Sequence, residues 1–275
     1  MKGRAWKRAV ALLCLCVFGV LFLLPLYWMI TGSFKSQTGI MSTPPEWFPS
    51  HPTLRNYLKL LRERPALVWL ANSLLVSSVV CVLATLTSAT AGYVFGKKDF
   101  PGKTFLFWTV IVTMMLPRQG TLIPLYILTS RLGWTQTYRG LIAPFIAFPF
   151  GIFLVKQFMQ QIPNDLIAAA RIDGAGEWGV FRHVILPMAR PAMGAVAIFS
   201  FVGAWNEYLW QLVMTDEQRW YTLPVGVTKL TTLGFEYDVG VSMAGATLAF
   251  LPMLIVFILF QRHFVSGISV GALKG

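Results

Sequence analysis

The stretch IPNDLIAAARIDGAGEWGVFRHVILPMARP, Ile162 to Pro191, decides how this chain is read. It lies between two apolar runs, yet it is polar and helical in period. Pro163 suits the first turn of a helix, where a missing N–H costs nothing. Asp165 falls near that helix's N-terminus, where a negative charge is favoured. Leu166, Ala169, Ala170 and Asp173 follow on adjacent faces. Gly174 and Gly176 end the helix, because glycine accepts the left-handed conformation of a sharp turn. A second helix starts near Glu177, with Trp178, Phe181, Val184 and Ile185 as its apolar stripe. Pro187 and Pro191 break it. The expectation is a helix, a hard turn and a second helix outside the bilayer. Two uses fit that shape equally: an interfacial hairpin packed on its own spans, or a docking element for a partner.

The rest of the chain supplies the bilayer. Of 275 residues, 56% are hydrophobic and 12% charged, against about 25% charged in soluble domains; the mean hydropathy is +0.63. A span takes about 20 apolar residues. Six runs qualify, roughly 10–30, 67–95, 105–128, 141–158, 192–213 and 242–260. The third is interrupted by Pro117, Arg118, Gln119, Gly120 and Pro124, which predicts a break facing a cavity or the outer surface. Leu54, Tyr57, Leu58 and Leu61 are spaced for a short amphipathic helix along the membrane surface. Ala84, Ser88, Gly92 and Gly96 form a small-residue ridge, read as helix packing. An outer loop over 214–240 holds Asp216, Glu217, Glu236 and Asp238, and a short basic tail runs from Gln261 to Gly275. The fold class is therefore all-α: a polytopic membrane protein with about six transmembrane helices and a cytoplasmic helix–turn–helix element at about 162–187, forming a single domain over 1–275.

The net charge is +12. Lys and Arg cluster at the ends of apolar runs rather than in one patch, which points to anionic headgroups and the positive-inside bias, not to nucleic acid. With six spans both termini fall on one side, read as cytoplasmic. The GKKDFPGK turn misses the phosphate-loop pattern, because Gly96 and Gly102 enclose five residues where that loop has four. Cys14, Cys16 and Cys81 lie in apolar runs without metal or disulfide spacing. His51, His183 and His263 are scattered, so neither a metal site nor a nucleophile is assembled. A secondary transporter would show acid or His relays and an internal repeat; one acid, Glu207, lies inside an apolar run.

Glu207 is costly there and is expected to face a cavity or partner. If the fifth run is one helix from Ala192, Glu207 lies about 22 Å along it. Asn206 with Trp210, and Glu207 with Gln211, are then each four apart; with Tyr208 they form a polar and aromatic line that suits a sugar. Interfacial aromatics and polar helix ties account for the same residues.

Ile162, Pro163, Leu166, Ala169, Ala170, Asp173, Gly174, Ala175, Phe181, Val184, Leu186, Pro187 and Pro191 resemble the EAA loop of ABC-transporter permeases, most closely sugar importers of the maltose and glycerol-phosphate type. Pro117 with Pro124, Leu125 and Tyr126, the run Trp205 to Trp210, and the tail Gln261 to Gly275 resemble the same family. The resemblance implies a permease subunit in a bacterial inner membrane that performs no chemistry and carries no cofactor or metal. It implies a second permease subunit, two ATPase subunits and an extracytoplasmic binding protein as partners, and a sugar or sugar derivative as cargo. It places ATPase coupling on Ala169, Ala170, Asp173, Gly174 and Phe181; Asp165, on the same helix face, is added as a candidate, with stabilisation of its own helix end as the equal alternative. The acid of the motif falls at Ala168, so Asp165, three residues earlier, is the candidate replacement.

Overall fold

The structure, a computed structural model, describes residues 2–232 and 238–272, and every regular element among them is helical. Glu236, the side chains of Lys2 and Arg4, and those of the Gln261–Gly275 tail with His263 lie outside the described residues. Among the described residues four helical stretches are long and apolar enough to cross a membrane: Trp6–Gly32, Ala66–Lys97, Tyr138–Gln160 and Val239–Leu259. Two helix pairs qualify only when joined. Lys103–Met115 and Arg118–Arg131 meet at 105°, and Glu177–Met188 and Arg190–Trp205 at 77°; with each pair as one span the total is six.

The breaks have local causes. Leu116 is extended at φ −75°, ψ 126° because Pro117 follows and its ring excludes the helical region for the preceding residue. The fourth span is interrupted in the same way. Phe148, at φ −109°, ψ 91°, precedes Pro149 and separates Tyr138–Ile146 from Pro149–Gln160.

The fifth span corrects the expectation of one helix. Arg190–Trp205 ends at Trp205, Asn206 caps it, and a new helix, Leu209–Met214, starts three residues later. Asn206 and Trp210 therefore share no helix face, nor do Glu207 and Gln211. The i, i+4 argument fails where the backbone leaves the helical path. The outer loop also carries more structure than expected, with a helix over Leu223–Thr232.

The chain divides into two compact units. In residues 1–68 with 225–252, helix Arg55–Glu63 buries Asn56 and Leu60. Asn56 Nδ2 donates to the carbonyls of Ser33, at 2.9 Å, and Lys35, at 2.8 Å. The expected apolar stripe faces the other way: Leu54, Leu58 and Leu61 are exposed, and Tyr57 is half-buried with its OH 2.8 Å from Ser33 Oγ. An outward apolar stripe is what a bilayer surface requires. Lys59 pairs with Asp238 at 2.9 Å.

In residues 69–224 with 253–275, one core joins Ala89, Tyr93, Val155, Met159, Ile162, Ile167, Val180, Phe181, Ile185 and Val196. The small-residue ridge is packing, as expected. A Cβ on Gly92 would lie 2.7 Å from Val155 Cγ1 and 3.1 Å from the Lys156 backbone N. Only a glycine lets helices Ala66–Lys97 and Pro149–Gln160 approach this closely.

Candidate functional site

Two sites emerge, one at the Ile162–Pro191 element and one at the helix breaks. The first is a helix over Asn164–Ile172, a turn, and a second helix from Glu177. Asp165 sits in the first helical turn and Arg171 in the last, both in harmony with the helix dipole. Gly174 has φ +85°, and a Cβ there would meet nothing within 4 Å, so backbone conformation rather than space requires glycine. Gly176 does not share that role: its φ is −67° and it begins the second helix. That helix widens into a π turn over Phe181–Ile185 before the 77° bend. Such turns are frequent at hinges and functional sites.

The element has a buried back and an exposed front. Ile162, Ile167, Val180, Phe181 and Ile185 are buried. Phe181 lies 5.1 Å from the Tyr93 ring and 5.5 Å from Trp178. Asp165, Ala168, Ala169, Asp173 and Gly174 are exposed, and Ala170 is half-buried against the core. Leu166, Ile172 and Trp178 are exposed too, Ile172 at 86%. Of the expected stripe, Phe181 and Ile185 turn inward while Trp178 faces out.

Sequence reasoning missed Glu177 except as the start of a helix. Its carboxylate accepts from Lys98 Nζ, from Arg171 Nη2 at 2.6 Å and from Tyr93 OH at 3.1 Å. The Lys98 ammonium, aided by Arg171 and Tyr93, holds that carboxyl down to about 2, well below its ordinary 4.5. The basic turn Lys97–Lys98 offered a signal: two lysines in a loop that must meet a neighbouring loop on the same side. Among the described residues Asp165 and Asp173 make no ion pair.

The second site is a cleft of about 650 Å³, open mouth included, lined by Arg118, Gln119, Thr121, Leu122, Leu125, Pro144, Phe145, Glu207, Leu209 and Trp210. Breaks in the third and fifth spans bring Arg118 and Glu207 there. Glu207 Oε1 accepts from the Trp210 backbone N at 3.1 Å, capping helix Leu209–Met214, and Oε2 accepts from Arg118 Nη1 at 3.5 Å. The Arg118 guanidinium also lies 5.5 Å from the Phe145 ring. Trp210 is buried, its Nε1 donating to the Gly140 carbonyl at 3.0 Å.

Of the five expected pathway residues, Glu207 and Trp210 line this cleft. Gln211 is fully buried, donating to the Leu141 carbonyl at 3.5 Å, while Asn206 is exposed and Tyr208 half-buried. Arg118 and Phe145 complete the cleft. The prolines flanking the third-span break were the signal for Arg118.

Comparison with known proteins agrees with this architecture. Residues 88–270 match the family described as "Binding-protein-dependent transport system inner membrane component". The arabinooligosaccharides transport system permease protein of Halalkalibacterium halodurans is 36% identical over 255 residues, 91% of each chain. The trehalose/maltose transport system permease protein of Thermococcus litoralis is 31% identical over 280 residues, 100% of each chain. A bacterial ABC transporter involved in import of the acidic polysaccharide alginate superposes with a TM-score of 0.85 at 21% identity, covering 95% of this chain and 97% of that one. The chain belongs to the inner-membrane permease family of binding-protein-dependent transport systems.

Proposed function

We propose that this permease passes a sugar or sugar derivative across a bacterial inner membrane by alternating access, driven by ATP hydrolysis in two partner ATPase subunits. A second permease completes the pathway and an extracytoplasmic binding protein delivers the cargo. Both termini are cytoplasmic, and residues 1–275 act as one permease domain. The names of the relatives, which specify arabinooligosaccharides and trehalose or maltose, support the sugar reading.

The observation that carries the mechanism is the two-sided Asn164–Met188 element. Its front offers Asp165, Ala169, Asp173 and Gly174, beside exposed Leu166 and Ile172, to an ATPase surface. Its back, with Ala170 at the margin and Phe181 at the centre, is embedded in the core of the spans. A push on the front moves the back, because close-packed interiors shift between discrete packings rather than deform smoothly. Cargo meets Glu207 and Trp210 in the cleft, with Asn206, Tyr208 and Gln211 shaping its surroundings. Arg118 and Glu207 offer donors and acceptors to hydroxyls, and Phe145 an apolar face.

Affinity purification of the tagged chain, co-expressed with its ATPase, binding protein and second permease, tests the reading. The ATPase and second permease should co-purify. Vesicles holding the complex should take up a labelled malto- or arabino-oligosaccharide only with ATP and binding protein. Uptake driven by a proton gradient without ATP would overturn the proposal.

A further inference from the structure

Two adjacent lysines at the end of helix Ala66–Lys97 reach the starts of the two helices of the docking element. Lys97 Nζ donates to the Ile162 carbonyl and, at 2.9 Å, to Asn164 Oδ1, which holds the start of the first docking helix. Lys98 Nζ donates to Glu177 Oε2 at the start of the second. Tyr93, one turn before Lys97, donates its OH to the same carboxylate, and Lys98 Nζ lies 5.2 Å from the Tyr93 ring centroid. Arg171 closes the group from the docking helix itself.

This cluster differs from an ordinary surface ion pair, which contributes little because two free side chains must be immobilised for one weak contact. Here a single carboxylate takes three donors, two from the end of helix Ala66–Lys97 and one from helix Asn164–Ile172, and the Tyr93 donor is anchored in the core. The Tyr93 ring packs on Phe181, and Gly92 beside it lies against Val155 with no slack for sliding. A displacement of Glu177 is therefore passed to the end of helix Ala66–Lys97 instead of being absorbed.

We propose that Lys97, Lys98 and Glu177 form a clasp that makes the inner end of helix Ala66–Lys97 a receiving element for the ATPase push, with Glu177 as a positioning residue. The clasp rests on the reading that the Asn164–Glu177 face meets the ATPase. It also answers the question posed by Ala168. The acid that fixes this loop is Glu177, beyond the turn, and not Asp165, which makes no ion pair among the described residues.

The test uses the whole importer, reconstituted with its ATPases, second permease and binding protein. Three quantities are read: cargo transported per ATP hydrolysed, the melting midpoint of the complex, and site-specific crosslinking from position 169 to the ATPase. Glu177→Gln and Lys98→Met should each lower transport per ATP by about fivefold or more, the lower end of ordinary coupling energies. Lys98→Arg should keep the ratio. Melting and crosslinking should stay as in the unsubstituted complex, which separates coupling from folding and from docking. The Glu177→Gln/Lys98→Met double variant should be no worse than either single, the mark of two groups acting as one. Single variants with an unchanged ratio, or losses that multiply in the double variant, would overturn the clasp. Absence of the crosslink in the unsubstituted complex would instead remove the docking reading, whatever the substitutions do.

Discussion

Glu177 and Glu207 are held in opposite ways, and the contrast separates the two working regions of the protein. Glu177 takes donors from Lys98 and Tyr93 at the end of helix Ala66–Lys97 and from Arg171 on helix Asn164–Ile172, so its carboxylate joins separate elements. Glu207 takes a backbone N–H from its own turn and one long contact, at 3.5 Å, from Arg118, whose side chain is 64% exposed. It fixes a local turn and keeps capacity for a ligand in the cleft. The docking region is a fastened joint; the cleft is an arrangement whose polar groups are only partly engaged.

If the docking region is a fastened joint, emptying its core should have the largest effect on the protein. Phe181 is 5% exposed, between Tyr93 and Trp178. Phe181→Ala should destabilise the permease by about 3–5 kcal/mol, the range for large-to-small changes in a close-packed core. Thermal unfolding of the purified complex in detergent measures this. A cost under about 1 kcal/mol would mean that the site is loosely packed and that the joint is not a joint.

Next in size is the helix crossing that backs the joint. Gly92→Val puts new atoms where Val155 already sits and should cost about 1–3 kcal/mol. Gly203 has nothing within 4 Å of a Cβ, so Gly203→Val is the matched control within a span. Equal stability of the two variants would show that the close approach at Gly92 carries no strain.

The two regions were not equally legible in the sequence. The docking region is built from neighbours in the chain: Pro163, the apolar period, and a Gly174 whose φ of +85° few other residues tolerate. Such signals are local, so the helix, turn and second helix could be read directly. What pairs with Glu177 could not, because Tyr93 and Lys98 lie 84 and 79 residues away. The cleft is non-local throughout. Its prolines marked the break after Leu116, but nothing in the run Trp205 to Trp210 marks the end of a helix at Trp205. There the chain has no proline, and Glu207 caps the next helix with its side chain. Helical period was extended through three residues where capping chemistry decides.

The cleft should respond in binding before it responds in stability. Glu207→Ala removes the cap on helix Leu209–Met214, worth about 1 kcal/mol, and the contact with Arg118. The cargo concentration giving half-maximal uptake should rise about tenfold, equivalent to about 1.4 kcal/mol. Glu207→Gln keeps an acceptor for the Trp210 N–H and should retain stability while losing the charge. An unchanged half-maximal concentration in both Glu207→Ala and Arg118→Gln would place the cargo elsewhere and leave the cleft as packing.

The smallest expected effect is an absence of change with pH, and it bears directly on how Glu177 is held. Lys98, with Arg171 and Tyr93, brings this carboxyl from 4.5 to about 2. A carboxyl whose folded-state value is depressed contributes its stabilisation fully above the ordinary carboxylate range and loses it as pH falls through the folded-state value. The window of loss thus runs from about 4.5 down to about 2, and none of it reaches neutrality. Transport per ATP hydrolysed should therefore be flat between about pH 5 and 8 as far as Glu177 is concerned. A step in that range that vanishes in Glu177→Gln would mean that the carboxyl titrates near neutrality, free of Lys98, and the contrast with Glu207 would collapse. A step that persists in Glu177→Gln belongs to another group and would leave the fastened joint intact.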